Sequence, residues 1–134
     1  MLKLIIGLKG SGKTKNLIAQ VNDALARTAG NVVVIEQGEK LRYDVKYTAR
    51  LINTLEYGVA NGEAFYGLVA GIVASNSDVT DIFVDGSIRI CGTLESLEAV
   101  LPALDKLSRA NDVNLVMTCS VAADTADETV KKYV

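Results

Sequence analysis

Histidine and tryptophan are absent from this 134-residue chain, and proline occurs only once. Without histidine, no imidazole group is available for catalysis. Cysteine is also scarce, and the two that occur, Cys91 and Cys119, do not have the spacing of a zinc-binding or redox site. We therefore expect both thiols to be buried or partly buried.

Long hydrophobic runs and a basic excess are absent as well. The apolar N-terminal run ends at Gly7, too early for a signal peptide, and residues 64–74 fall short of the ~20 residues that span a bilayer. A net charge of −2 and an isoelectric point near 5.1 argue against binding to nucleic acid or anionic lipid. We expect a soluble, cytoplasmic protein with no membrane insertion and no nucleic-acid partner.

The hydrophobic content indicates a folded core. Hydrophobic residues make up 49% of the sequence, and a chain of this length buries roughly two thirds of the surface that its unfolded form exposes. No internal repeat or low-complexity linker divides the chain. We predict a single domain, residues 1–134.

The most specific pattern lies near the N-terminus. Residues 7–14 read GLKGSGKT and fit the phosphate-loop pattern G-x-x-x-x-G-K-[ST] at every fixed position. A short apolar strand, residues 2–6, precedes the loop, and apolar residues at helical spacing follow it as far as Gly30. These flanks favour a phosphate loop over the alternative, a glycine-rich turn that fits the pattern by chance.

The loop predicts a site for a nucleotide phosphate chain and Mg²⁺. Its glycines let the backbone curl so that successive N–H groups point inward, and the helix beginning near Lys13 adds the positive end of its dipole. We expect Lys13 to reach the β- and γ-phosphates and the Thr14 hydroxyl to ligate Mg²⁺. The predicted nucleotide-binding residues of the loop are Gly7, Lys9, Gly10, Ser11, Gly12, Lys13, Thr14 and Lys15.

A second pattern, IFVD at residues 82–85, predicts the other half of the metal site. Three apolar residues followed by Asp at the C-terminal end of a strand are typical of the Walker B motif, whose carboxylate holds Mg²⁺, usually through water. Asp85 therefore joins Thr14 as a predicted metal-binding residue. The alternative is an Asp that caps the turn at Gly86.

Strands and helices alternate along the rest of the chain. Residues 31–36, 81–85 and 114–118 predict three more buried strands. We predict helices at 47–59, 63–74 and 94–109, the last kinked or split at Pro102, an exposed loop at 37–47, and either an edge strand or a helix at 129–134. This alternation predicts a three-layer α/β/α fold with a mostly parallel sheet of four or five strands.

Hydrolysis of a nucleotide requires a group that orients or deprotonates the attacking water. Many ATPases with a phosphate loop carry Glu directly after the Walker B Asp, but Gly86 occupies that position here. Glu36, at the C-terminal end of the second predicted strand, is the remaining catalytic candidate, because the C-terminal ends of parallel strands line the ligand crevice. The alternative is a solvated Glu at a strand end.

Together, these motifs resemble the P-loop NTPases, and among them the core of the PilT-like ATPases of secretion and twitching motility. That family has a GSGK[ST] loop, as in residues 10–14, and an acidic box reading roughly I-E-D-P with the catalytic Glu at a strand end. Ile35 and Glu36 match the first two positions of that box, whereas Gln37 departs from it and the family's His box has no counterpart. The resemblance implies ATP binding and a RecA-like sheet, and it does not imply a pilus motor.

The RecA-like sheet that the resemblance implies has the order 1-4-3-2 for the four predicted strands, with 4-1-3-2 as the rival order. In such sheets the fourth strand ends in a polar sensor residue near the γ-phosphate. Thr118 and Ser120 stand at that position, with turn polarity as the alternative. We therefore add Thr118 to the predicted nucleotide-binding residues.

The expected function is Mg²⁺-ATP binding with slow hydrolysis, or an ATP-dependent switch that acts with an unknown protein partner or in a homo-oligomer. ATP is preferred over GTP because the chain lacks the N-K-x-D motif that recognises guanine. Arg89 is a candidate arginine finger for a neighbouring copy. Two alternatives remain open: a small-molecule or nucleotide kinase with a lid formed by Arg42, Arg50, Tyr43 and Tyr47, and a nucleotide-binding regulatory module that does not hydrolyse.

Overall fold

The computed structural model describes residues 1–134 and shows an α/β fold. The strands are β1 (Leu2–Ile6), β2 (Asn31–Glu36), β3 (Arg50–Asn53), β4 (Val79–Asp85) and β5 (Asn114–Cys119). The helices are α1 (Lys13–Arg27), α2 (Gly62–Ser75), α3 (Ser87–Cys91), α4 (Leu94–Ala110) and α5 (Glu128–Lys131). Short 3₁₀ turns cover Lys40–Tyr43 and Thr54–Tyr57.

One five-stranded sheet, parallel throughout, lies at the centre of the fold. Its order is β1-β5-β4-β2-β3. The four strands predicted from the sequence therefore lie side by side in the order 1-4-3-2, and β3 is a fifth strand beside β2. The strand β1 pairs with β5 and not with β4. Because all strands are parallel, their C-terminal ends lie at one edge of the sheet, where ligands bind in open α/β folds.

Apolar side chains cover both faces of the sheet. On one face, Leu17 and Val21 of α1 pack with Val34 and Phe83 of the sheet. On the other face, α2 and α4 contribute the large buried side chains Phe65, Val69, Leu97, Leu101 and Leu104. Helices on both faces are compatible with a three-layer arrangement, and burial on both faces explains why β2 and β5 are apolar over most of their length.

The predicted helix at residues 47–59 is wrong. Within it, Arg50–Asn53 form the edge strand β3, which pairs with Val33–Glu36 of β2, and Thr54–Tyr57 form a 3₁₀ turn. The Asn53 side chain ends the strand by accepting a hydrogen bond of 3.0 Å from the Leu55 N–H. Pairing with a strand distant in sequence overrides the local preference, and no spacing within the segment indicates it.

Helix α4 is not split at Pro102, contrary to one form of the prediction, and it runs without interruption from Leu94 to Ala110. Proline removes one backbone N–H and clashes with the preceding turn. Pro102 is exposed, so the disturbed backbone faces water, while the buried side chains Leu101 and Leu104 hold the helix against the core on both sides of it.

The polar segment at residues 37–47 is not an entirely exposed loop. Leu41 and Val45 are buried against the α1 face of the sheet, and the Lys40–Tyr43 turn lies between β2 and β3. These two apolar side chains anchor a segment that is otherwise polar, which explains why composition alone suggested a loop.

The other local predictions agree with the structure. The predicted helix at 63–74 corresponds to α2, and the C-terminal segment forms the short helix α5 rather than a strand. Cys91 and Cys119 are both buried, and burial raises the pKa of Cys91 to about 12 and that of Cys119 to about 11. No helix combines the length and the apolar character needed to cross a membrane.

Candidate functional site

The predicted phosphate loop connects β1 to α1, and two of its positions illustrate why it contains glycine. Gly12 has a φ of 90°, a left-handed conformation that favours glycine, and α1 begins at the next residue. At Gly7, a Cβ atom would collide with the side chain of Ser11. The first turn of α1 carries no acidic residue, so the positive end of the helix dipole is not neutralised there.

Lys13, the first residue of α1, folds back over this loop. Its ammonium group donates a hydrogen bond of 2.9 Å to the backbone oxygen of Leu8. This contact holds a positive charge against the loop that leads into α1, whose first backbone N–H groups have no partner within the helix. An anion that enters the loop therefore meets a lysine charge and a helix N-terminus together.

Asp85, at the end of β4, is hydrogen-bonded to two hydroxyl groups. The Thr14 hydroxyl lies 3.1 and 3.3 Å from the two carboxylate oxygens of Asp85 and donates to them. The Thr118 hydroxyl donates to Oδ1 of Asp85 at 2.8 Å and accepts a hydrogen bond of 2.7 Å from the Gly86 N–H. The residues predicted to share Mg²⁺, Thr14 and Asp85, are therefore in direct contact although 71 positions separate them.

Thr118 is almost completely buried and its hydroxyl is fully engaged between β4 and β5. Its backbone oxygen also accepts a hydrogen bond of 2.7 Å from the Ser87 hydroxyl at the start of α3. Thr118 thus fixes the position of Asp85 and of the turn at Gly86. The sequence indicated a polar residue at this strand end, but it did not indicate this contact with the carboxylate.

Glu36 lies at the end of β2, in register with Asp85 on the neighbouring strand. It is only 6% exposed, so the alternative of a solvated side chain is wrong. One carboxylate oxygen accepts a hydrogen bond from the Lys40 N–H at 3.2 Å, and the other accepts one from the Leu41 N–H at 2.8 Å. The carboxylate therefore holds the 3₁₀ turn after β2, a role that the sequence did not indicate.

These groups surround a cavity of about 440 Å³ at the C-terminal edge of the sheet. The predicted site residues that line it are Lys9, Gly10, Gly12, Lys13, Thr14, Lys15, Glu36, Asp85 and Thr118. Gly7 and Ser11 belong to the same loop but do not line the cavity. Among the residues that the binding prediction omitted, Gln37, Lys40 and Arg89 also lie on its wall, together with Ser120.

The cavity is strongly cationic. Its side chains with positive charge are Lys9, Lys13, Lys15, Lys40 and Arg89, against the two carboxylates of Glu36 and Asp85. This local excess stands out in a chain whose net charge is −2. A concave site with one sign of charge concentrates ligands of the opposite sign, so the cavity is suited to a polyanion.

A smaller cavity of about 220 Å³ adjoins the first one and shares Glu36 with it. Arg42 lines this second cavity and is paired with Glu39 at 3.4 Å. Tyr43 and Tyr47 of the suggested lid are both highly exposed. Its fourth member, Arg50, is the first residue of β3 and lines neither of these two cavities. The lid residues therefore do not line the larger cavity, and Arg42 instead lies beside the smaller one.

Two sequence comparisons identify no relative of this chain. No protein-family model matches the chain, and no curated protein is significantly similar to it. The functional assignment therefore depends on the site itself.

Proposed function

We propose that this chain is a P-loop protein that binds Mg²⁺-ATP in the 440 Å³ cavity and hydrolyses it slowly. The observation that carries the proposal is the hydrogen bond between Thr14, at the start of α1, and Asp85, at the end of β4. It brings the hydroxyl and the carboxylate that the sequence predicts to share Mg²⁺ into contact in one cavity, next to a loop that fits the phosphate-binding pattern at every fixed position.

The loop supports phosphate binding through its backbone and Lys13. Free N–H groups at the start of α1 are donors for phosphate oxygens, and the helix dipole favours negative charge there. The Lys13 ammonium, which contacts the Leu8 oxygen at 2.9 Å, can exchange that neutral acceptor for a charged phosphate oxygen. A charged acceptor gives the stronger hydrogen bond, so the exchange is favourable.

Thr14 and Asp85 fit Mg²⁺, which prefers oxygen ligands and usually keeps several waters. The chain has no group of three or more acidic, cysteine or histidine side chains placed to hold a metal ion. A site made of one hydroxyl, one carboxylate, water and phosphate oxygens needs no such group. Asp85 and Thr14 would hold a bound Mg²⁺, which would neutralise charge at the phosphates.

The strand order supports the RecA-like P-loop architecture. The strand β5 lies between β1, which leads into the phosphate loop, and β4, which ends in Asp85. The resemblance implied this order for the four strands first indicated by the sequence. The additional strand β3 extends the sheet on the side away from the loop.

Slow hydrolysis follows from the position of the acidic groups. Gly86 follows Asp85, and both oxygens of Glu36 are engaged by the backbone of the turn at Lys40 and Leu41. We propose that Glu36 acts on the attacking water only when this turn shifts, and that a protein partner or a second copy of the chain favours the shift. The isolated chain then turns over well below the ~10 s⁻¹ typical of enzymes.

A kinase is the second candidate, and the adjoining 220 Å³ cavity favours it. Arg42 and Asn53 supply polar groups next to Glu36 where a small acceptor can lie close to the nucleotide site. Phosphate release to water without an added acceptor supports the ATPase, whereas ADP formation that requires an acceptor supports the kinase. If neither occurs while ATP binds, the chain is a non-hydrolysing regulatory module.

Calorimetric titration with ATP tests the proposed function directly. We expect saturable binding in the presence of Mg²⁺, weakened at least tenfold in Lys13→Ala, because a charge-assisted hydrogen bond of roughly 1.5–3 kcal/mol is lost. Lys106→Ala is the matched control, since Lys106 is exposed on α4 outside the cavity. Absence of binding by the unmodified chain at millimolar ATP would overturn the proposal.

A further inference from the structure

Arg89 occupies an unusual position at the edge of the candidate site. It follows Gly86, whose φ of 79° turns the chain sharply from β4 into α3. Its neighbours Ser87 and Ile90 are buried, so α3 is held firmly while the Arg89 side chain stays exposed on the cavity wall. The guanidinium carbon lies 3.9 Å from the place of a Cβ atom on Gly86. A short, anchored turn therefore places the guanidinium beside Gly86, the residue that follows Asp85.

The side chain of Arg89 has no partner within the protein. Of the five arginines, Arg27, Arg42 and Arg109 form ion pairs, whereas Arg50 and Arg89 do not. Arg89 is also the one arginine on the wall of the 440 Å³ cavity.

The two carboxylates of the cavity are engaged elsewhere. Asp85 accepts from two threonine hydroxyls, and Glu36 accepts from two backbone N–H groups. Because both carboxylates already accept hydrogen bonds and neither pairs with Arg89, its guanidinium is available for an anionic ligand.

We propose that Arg89 binds the terminal phosphate of the nucleotide in its own chain and so makes the site prefer a nucleoside triphosphate over a diphosphate. This inference rests on the proposed function. Lys13 and the loop, which would hold the phosphate chain, line the cavity from the α1 side, and Arg89 lines it next to Gly86, the residue after Asp85. The guanidinium presents five donors in a planar fork that matches phosphate oxygens. The position favours contact within one chain over the donation to a neighbouring copy that the sequence suggested.

The ratio of ATP to ADP affinity tests this role. Titrations with each nucleotide in Mg²⁺ compare the unmodified chain, Arg89→Ala and Arg89→Lys, with Arg50→Ala as the control because Arg50 is unpaired but lies outside this cavity. We expect Arg89→Ala to weaken ATP about tenfold to 100-fold and ADP less than about threefold, as for a lost charged hydrogen bond. Arg89→Lys restores part of the ATP affinity, since it keeps the charge but not the fork.

Equal effects on ATP and ADP, or none on either, overturn the inference while leaving the proposed function in place. If the unmodified chain binds neither nucleotide, the proposed function fails with it, so the two failures are distinguishable. Thermal melting of each variant checks the fold, which an exposed side chain is not expected to disturb.

A mixing experiment separates contact within one chain from donation between chains. In an equimolar mixture of Lys13→Ala and Arg89→Ala, only the second variant keeps an intact loop. If Arg89 acts within its own chain, these sites retain the weak ATP affinity of Arg89→Ala alone. Recovery of the unmodified affinity in those Arg89→Ala sites that neighbour a Lys13→Ala copy would show that the neighbouring copy supplies the arginine, and would overturn the inference.

Discussion

The Thr118 hydroxyl donates a hydrogen bond of 2.8 Å to Oδ1 of Asp85 on the neighbouring strand, and it accepts one from the Gly86 N–H. One buried hydroxyl thus orients the carboxylate proposed to bind Mg²⁺ and satisfies the backbone of the turn that leads to Arg89. Thr118 is therefore a positioning residue: it acts through Asp85 and Gly86.

Replacement of Thr118 by Val is expected to affect both stability and metal binding. Val keeps the shape but leaves the Gly86 N–H without its acceptor, which costs roughly 1–3 kcal/mol of unfolding free energy. We expect the affinity for ATP in Mg²⁺ to fall several-fold, with a smaller change in EDTA, as measured by titration.

Thr118→Ser is the control for this prediction. It retains the hydroxyl, so the Mg²⁺-dependent affinity recovers even if the lost methyl group lowers stability. If Ser and Val weaken binding equally, the hydroxyl does not position Asp85.

Asp85→Asn is expected to remove the Mg²⁺-dependent part of ATP binding. The amide cannot neutralise the ion, whereas the contacts of the phosphate loop remain, so affinity measured in EDTA changes little. Thr14→Ala acts on the same ion, and the double variant should therefore lose less than the sum of the two single losses. Equal weakening with and without Mg²⁺ would remove Asp85 and Thr14 from the metal site.

Glu36→Gln tests whether the buried carboxylate serves hydrolysis as well as the turn. The amide offers one acceptor oxygen where two N–H groups now donate, so we expect a loss of about 1–2 kcal/mol of stability. ATP affinity should stay within a factor of about three, since no phosphate contact is removed. The slow rate of phosphate release should fall, and an unchanged rate would exclude Glu36 from the reaction.

Asp81, near the N-terminal end of β4, forms an ion pair at the end of the sheet opposite the cavity. Its carboxylate is 1% exposed and accepts from Arg27 at 3.2 Å, Asn114 at 3.3 Å and Thr80 at 2.8 Å. Arg27→Ala leaves this buried charge without its cation. Because Arg27 is half exposed and water can replace it in part, we expect a loss of about 1–2 kcal/mol by chemical denaturation.

Arg109→Ala is the comparison for Arg27. Arg109 pairs with Asp105 at 3.0 Å within α4, and its own side chain is largely exposed. A surface pair of this kind contributes at most about 1 kcal/mol. Losses of equal size in the two variants would show that burial of Asp81 does not strengthen its ion pair.

Two carboxyl groups, Glu98 on α4 and Asp127 at the start of α5, are expected to make the stability depend on pH. A hydrogen bond with Asp127 raises the pKa of Glu98 to about 7, and burial adds to this effect. The same bond, with the Val130 N–H, lowers the pKa of Asp127. Between the ordinary pKa of Glu and about 7, Glu98 keeps its proton in the folded chain but loses it in the unfolded chain. The proton on Glu98 therefore stabilises the fold less and less as pH rises towards about 7. The contribution of Asp127 is lost instead as pH falls below its ordinary pKa.

Melting temperatures between about pH 5 and pH 8 measure this effect. We expect the unmodified chain to become less stable over that interval and Glu98→Gln to remove the decline, since the amide keeps a donor at all pH values. Glu63→Gln, an exposed acid on α2, should retain it. A decline that persists in Glu98→Gln must come from other groups.

Local sequence patterns indicated those parts of the candidate site that consist of contiguous residues. Residues 7–14 and 82–85 follow patterns dictated by their own backbone geometry, and Glu36 stood out as an acid at the end of a strand. The contact between Asp85 and Thr118 depends on which strands are neighbours, and that depends on packing across the whole sheet. The same reason applies to β3, whose pairing with β2 overrides its local pattern.

The alternation of side chains along β5 has a consequence for mutations far from the cavity. Leu115, Met117 and Cys119 point into the larger core beneath α2 and α4, so Thr118 between them points to the α1 side. A slip of one residue in this strand would turn Thr118 away from Asp85 and expose three apolar side chains to the wrong layer. The packing of the core thus sets the register of β5 and with it the position of Thr118. We therefore expect cavity-forming substitutions at Leu115 to weaken nucleotide binding before they unfold the chain.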